Sequence, residues 1–338
     1  MKQVRNIHKN LVRFSRSNEF VIFVVIILIS VLFAFINPTF ISTRNIFDIL
    51  KSMIVNCVFA CGVMLVIING GIDMSFMAIG IVSAYLTIQG CILVDYNGGI
   101  HLIFLVAALI GMMLGLCNAF LISKFDIPIF IVTLSVASVI RGLVLAFIGN
   151  EYVASTDMPT STIEFSKTYW FNMVDETGST FGLHFGVFIA IGIMILTFLI
   201  LRYTVIGRGV YALGGDTVSA ARIGYDLKKV RRFIYGYAGV LAGIAGIIYV
   251  SNNRMADPVS LQGQELTVIA AVVIGGTKIT GGKGTVFGVF LGVLLTQIIN
   301  TNLVLIGVPS FWQKFTFGSL IIAATVFQAL KDKKGVRA

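Results

Sequence analysis

Ten apolar runs follow one another along this chain, at roughly 20–36, 53–69, 73–94, 100–122, 127–149, 182–201, 232–250, 266–276, 285–306 and 312–330. They are continuous rather than alternating, and all but 266–276 approach the ~20 residues that a helix needs to cross a bilayer. Only 12% of the residues are charged and 57% are hydrophobic, whereas soluble proteins carry about a quarter charged residues. Inside lipid every backbone N–H and C=O must be satisfied by the protein, which leaves helices or a closed barrel. A barrel is written in short alternating segments. The sequence therefore predicts an all-α polytopic membrane protein, a single domain over 1–338 with about ten transmembrane helices. The run 266–276 reads as a broken or re-entrant helix, or as one that begins earlier, within 258–265.

Positive charge orients the bundle. Threading the runs from a cytoplasmic N-terminus puts 19 Lys and Arg in the inside segments and 5 in the outside ones, with Arg141 left in a span. That bias obeys the positive-inside rule and predicts cytoplasmic N and C termini. It also accounts for the net charge of +10 without nucleic acid as a partner. The predicted inside segments include a basic tail at 1–19, a loop at 202–232 and a tail at 331–338. The largest outside segment is 150–181, which collects Asp157, Glu164, Asp175 and Glu176. The tail's Lys2, Arg5, Lys9, Arg13 and Arg16 resemble the charged region of a signal peptide, but Asn37-Pro38 follows the first run where a small-residue cleavage site would stand. The run is read as a retained first helix. Thr43–Lys51 sets Ile46, Phe47, Ile49 and Leu50 against Arg44, Asp48 and Lys51, the pattern of a short helix lying in the outer interface.

The polar residues set among these runs are the functional candidates, because charge in or beside a span is costly unless something faces it. Asn69-Gly70-Gly71-Ile72-Asp73-Met74-Ser75 breaks two runs with a glycine pair and a carboxylate. Asp73 either caps the helix that follows, as Asp prefers to do, or lines a route for solute; the capping role has the stronger physical case. Arg141 calls for a carboxylate or backbone carbonyl as partner. Glu265, at an outer helix edge, suits a cap. The inside loop 202–232 is polar and contains glycine, with Ala220-Ala221-Arg222 in its middle. It reads equally as a short helix offered to a soluble partner and as a solvated linker.

Other signals are weaker. Gly284, Gly288 and Gly292, Gly239 and Gly243, and Gly111 and Gly115 recur every four residues, a spacing that lets helices pack closely in lipid. Cys57, Cys61, Cys91 and Cys117 all fall in apolar runs and lack the further ligands a metal would need. Residues 277–284, Thr-Lys-Ile-Thr-Gly-Gly-Lys-Gly, imitate a phosphate loop. They place Thr277 where its first Gly belongs and Gly284 where Ser or Thr should follow the Lys. His8, His101 and His184 lie in the N-tail or at predicted span edges and form no catalytic spacing; the latter two read as interfacial polar residues. No enzyme, metal or cofactor is expected in this chain.

Several segments, in order, resemble the permease subunit of bacterial monosaccharide ABC importers of the ribose, galactose and xylose type. They are Gly70–Ser75; Ile127-Pro128 with Thr133-Leu134 and Arg141-Gly142; Ala212–Asp216 with Ala220-Ala221-Arg222 and Gly224; Glu265-Leu266 with Ile269–Gly276; Gly281–Val286; and Gly307–Gln313. The chain departs from the family's wording at Met77, Ala78, Ser135, Asp216, Tyr225 and Thr267. The resemblance implies an importer permease fold in the bacterial inner membrane, alternating access, and a monosaccharide cargo. It implies two ABC ATPase subunits, a second permease subunit (identical or not) and a substrate-binding protein as partners, beside membrane lipid. It places ATPase coupling on Gly214, Gly215, Asp216, Ala220, Ala221, Arg222 and Gly224, and leaves Asn69, Asp73, Ser75, Thr133, Arg141 and Glu265 as residues that line or shape the pathway. Related permeases carry nucleosides or branched-chain amino acids. The rival class is an ion-coupled secondary transporter with Asp73 as its proton site.

Overall fold

The computed structural model describes residues 18–149, 151–174, 178, 180–309 and scattered positions between 311 and 326. Most of the N-terminal tail, the C-terminal tail, Asp175, Glu176 and most of the expected span 312–330 lie outside the described residues. Among the described residues twelve α-helices, one 3-10 turn at Pro38–Ile41 and one hairpin are traced. The α-helices and strands are α1 (Asn18–Ile36), α2 (Thr43–Ile68), α3 (Phe76–Leu93), α4 (Ile100–Phe125), α5 (Ile129–Phe147), α6 (Thr160–Ser166), β1 (Tyr169–Val174), β2 (Thr180–His184), α7 (Gly186–Tyr203), α8 (Val205–Gly215), α9 (Thr217–Arg222), α10 (Leu227–Asn253), α11 (Glu265–Ile274) and α12 (Val286–Leu305). Among the described residues, eight helices are long and apolar enough to cross a membrane. Of the ten runs, 266–276 gives only the ten-residue α11, and 312–330 is largely outside the described residues.

Two expectations about local structure are corrected. Thr43–Lys51 is no separate interfacial helix. It is the first part of the 26-residue α2, because nothing in Ser52 or Met53 stops a helix and Ser42 caps it, its hydroxyl accepting from the Asn45 amide at 3.2 Å. The bundle is also not purely helical. Strands β1 and β2 pair antiparallel, β1 within the expected outer loop 150–181 and β2 running into the start of the expected span 182–201, whose helix begins only at Gly186. The aromatic residues Tyr169-Trp170-Phe171 and Phe181 favour a pleated surface over a loop.

Three helices form the centre. In α2, α3 and α10 most residues are buried, and α10 packs against α2, α3 and α4. By contrast α1, α4, α5 and α7 expose most of their apolar surface, as lipid-facing helices do. The close approaches are made by the glycine repeats. A Cβ at Gly111 would run into the Gly239 carbonyl and one at Gly239 into that of Gly111, while Gly115 and Gly243 sit against the Tyr235 and Ala107 carbonyls. The two repeats are thus the two halves of one α4–α10 contact. Gly288 and Gly292 of α12 seat the backbone of α11 in the same way, at Gly275 and Ala271.

Candidate functional site

Helix α2 ends in a glycine cap. Gly70 takes φ +86°, its amide donates to the Ile67 carbonyl at 2.9 Å, and the Gly71 amide reaches back to Val66 at 3.2 Å. These are the two bonds of a Schellman motif, whose C′ position needs the left-handed backbone that glycine supplies. The chain then runs unwound through Ile72-Asp73-Met74 before α3 begins at Phe76.

Four of the sequence candidates gather at this break, and all four are buried: Asn69, Asp73, Ser75 and Thr133. Asp73 Oδ1 accepts from both the amide and the hydroxyl of Ser75 at 2.6 Å. Asn118 of α4 donates to Ser75 Oγ at 2.7 Å. Thr133 of α5 accepts from the Met74 amide at 3.1 Å, with its hydroxyl 3.3 Å from the carbonyls of Ile72 and Phe130. Breaking a helix inside a bundle orphans backbone groups, and these side chains take them up. Asp73 therefore satisfies the amide of Ser75, the residue just ahead of α3, while Asn69 closes α2 as its C-cap. Asn118 was not singled out from the sequence. A lone Asn in an apolar run carries no spacing signal.

The other two candidates meet elsewhere. Arg141 Nη2 of α5 pairs with Glu265 Oε1, the first residue of α11. The Glu265 side chain is 5% exposed and that of Arg141 26%. Residues 124 positions apart thus satisfy each other, and Glu265 acts as an ion-pair partner at the head of the short helix.

The segment 202–232 folds as two short helices, α8 and α9. Thr204 caps α8 by accepting from Gly207 at 2.9 Å. Asp216 lies between the two helices and accepts from the Val218 and Ser219 amides at 3.1 Å, as well as from the Ser219 hydroxyl. That hydroxyl first, and the two amides after it, hold the Asp216 carboxyl below the usual range. Ala220 is buried, whereas Asp216, Ala221, Arg222 and Gly224 are exposed, as are Val218 and Ile223. Short, capped and largely uncovered, α9 presents a small apolar face with a cation at its end.

These helices are keyed to the break. A Cβ on Gly214 would overlap the Ile68 carbonyl oxygen, whereas one on neighbouring Gly215 would meet nothing within 4 Å. That same Ile68 carbonyl, left free at the end of α2, accepts from the Gly282 amide at 2.8 Å. Tyr211 of α8 donates its hydroxyl to the Gly284 carbonyl at 2.9 Å. Three glycine-bearing segments that the sequence showed separately, at 70–71, 214–215 and 281–284, therefore meet at one backbone junction. The 277–284 loop is a packing turn at this junction. A cavity of about 460 Å³ opens beside it, between Gly70–Ile72, the turn at Asp126–Pro128 and Arg231. Among the described residues no group of three or more His, Cys, Asp or Glu could hold a metal.

Comparison with known proteins follows the same lines. Residues 45–325 match the family described as branched-chain amino acid transport system / permease component. Similar proteins include the ribose import permease protein RbsC of Bacillus subtilis, 34% identical over 315 residues, which cover 92% of this chain and 91% of the relative. The L-arabinose ABC transporter permease protein AraH of Azospirillum brasilense is 31% identical over 307 residues, 90% of this chain and 86% of the relative. The fructose import permease protein FruG of Bifidobacterium longum is 31% identical over 276 residues, covering 80% and 78%. No solved structure matches the chain.

Proposed function

Since the chain belongs to the family of branched-chain amino acid transport system / permease components, and is a multi-pass membrane protein, we propose that it is the membrane subunit of an ATP-driven sugar importer. It is the permease and not the motor: its relatives are named as permeases, and the hydrolysis of ATP belongs to separate subunits. Two permease subunits form the pathway, and a binding protein delivers the cargo at the face opposite α9.

The observation that carries this reading is the Gly214–Ile68–Gly282 junction. The exposed α8–α9 unit lies in the segment richest in Lys and Arg, and so on the cytoplasmic side. There it offers Val218, Ala221 and Ile223 to a soluble partner. Because its backbone abuts the end of α2 with no side chain between, a push on α9 reaches the unwound segment before α3 without slack. Interfaces packed this tightly switch between discrete arrangements and do not deform continuously. The cavity beside Gly70–Ile72 is the space into which the break can move.

A sugar cargo is supported by the names of the relatives and by how the chain uses its charges. Asp73, Arg141 and Glu265 are each engaged within the subunit, so none is committed to a zwitterionic amino acid. Asn69, Asp73, Ser75 and Thr133 are buried in the single chain, and assembly can only bury them further. They shape the pathway by holding the break, and do not line it. A substitution at the docking face tests the reading. Ala221→Trp should abolish co-purification of the ATPase and sugar uptake while permease abundance in the membrane is unchanged. Uptake equal to that of the parent protein would contradict it.

A further inference from the structure

We propose that strand β1 lies in the bilayer interface at the end of the bundle away from α9, with Trp170, Phe171, Phe185 and Phe188 seated among lipid head groups and upper acyl chains. One side of the hairpin is covered by protein. Phe181 packs on Phe47 at 6.4 Å, and Lys51 stands over the Tyr169 ring at 5.5 Å, both in the first turns of α2. Beyond Tyr169 every residue of β1 is exposed, so that stretch of the strand is bare on both faces. Trp170 is 62% exposed and Phe171 58%.

The position of Trp170 follows from helix lengths. Helix α7 has 18 residues, about 27 Å at the α-helical rise, which barely matches a hydrocarbon core of about 30 Å. Its first turn must therefore sit at the boundary. Trp170 packs on Phe188 of that first turn at 5.4 Å, and Phe188 on Phe185 at 6.1 Å. The same face of α7 continues through Ile191, Ile195 and Phe198, all exposed. The aromatic patch is thus the upper end of an apolar stripe that spans the membrane. Helix α2, at 26 residues, extends about 39 Å, so its first turns project beyond the core to where the hairpin rests.

Two opposing demands fix the depth. The rings favour leaving water, and Trp at a head-group boundary keeps its indole N–H wet while its body is apolar. Among the described residues strand β1, however, pairs only with β2, which leaves its other edge open. Such an edge cannot enter hydrocarbon, but head groups and interfacial water can satisfy it. The interface is the one layer that meets both demands. The contact anchors the hairpin, and through it the adjoining ends of α2 and α7, to the lipid.

The chain has two tryptophans, so Trp312→Phe leaves Trp170 as the sole reporter. The protein is reconstituted in phosphatidylcholine vesicles carrying lipids brominated near the head group or near the chain end, with acrylamide as the aqueous quencher. Blue-shifted emission that loses more intensity to the shallow bromine than to the deep one, and little to acrylamide, is expected. Emission quenched by acrylamide and indifferent to brominated lipid would overturn the proposal by placing the strand in water, free to meet a soluble protein. Indifference to all three quenchers would equally overturn it, by placing a second subunit over the strand, and stronger deep quenching would refute the interfacial depth. Should Trp312→Phe fail to fold, the difference between the quenching profiles of the parent protein and Trp170→Phe reports the same quantity.

Discussion

Asp73 is the residue at which physics and family wording meet. Its carboxylate accepts from the amide and the hydroxyl of Ser75, which the break would otherwise leave buried and unpaired. Asp73→Ala is therefore expected to destabilise the chain by about 1–3 kcal/mol, the cost of orphaning a buried donor, read as a lower unfolding temperature in detergent. Asp73→Asn retains an acceptor oxygen and should keep much of both stability and uptake. An ion-coupled carrier using Asp73 would lose uptake entirely with either change. Arg141 and Glu265 call for a different pair of variants. Arg141→Met leaves Glu265 buried without its partner, at an expected cost of about 3–5 kcal/mol. Replacing both by apolar residues should restore most of that loss in the same unfolding measurement. The sequence marked Arg141 as needing a partner, because an unpaired charge in a span is too costly to persist, and read Glu265 as a cap at a helix edge. It could not say that they needed each other, since a separation of 124 residues leaves no trace in local spacing.

At the scale of elements, the adjacent pair Gly214-Gly215 separates packing from flexibility. Gly214→Ala should destabilise the α8–α2 junction, because its Cβ would occupy the place of the Ile68 carbonyl. Gly215→Ala has open space around it and should leave the unfolding temperature near that of the parent chain. Equal effects would remove the junction from the account. The hairpin supplies a pH dependence. His184 is fully buried; its Nδ1 accepts from the Gly186 amide at 3.0 Å and Nε2 faces the Phe165 carbonyl at 3.1 Å. Burial first, and then the Lys51 ammonium, push His184 down to about 4. A histidine depressed from its ordinary value of about 6.5 favours the neutral, folded form above that value. Its contribution is lost as pH falls from there to about 4, because the unfolded chain then binds the proton more readily. Protease resistance of the 151–184 segment should fall over that window, and His184→Gln should flatten the fall. In the sequence His184 looked like a polar residue at a span edge. The hairpin that buries it was illegible because its strands are short and their outer faces are apolar, which hides the alternation by which a strand is recognised. The spans were legible for the opposite reason, since lipid forbids any other structure for long apolar runs. The start of α2 differs from the expected one because Arg44, Asp48 and Lys51 mark where the apolar run begins and not where the helix does: Ser42 caps it and Ser52 and Met53 do nothing to stop it.

At the scale of the whole molecule, the bundle combines a buried centre of α2, α3 and α10 with an apolar rim. The break and the exposed helix α9, proposed above as the docking element, are joined at one end, and an aromatic hairpin stands at the other. That division suits a machine driven from one face and held by lipid at the opposite one. The decisive measurement is uptake of labelled ribose and other monosaccharides into sealed vesicles holding this chain, with and without its ATPase subunits and binding protein. Uptake that needs all components and ATP on the α9 side, persists when a protonophore collapses the proton gradient, and is abolished by Ala221→Trp is expected. Uptake by this chain alone, driven by the gradient and indifferent to ATP, would contradict the account.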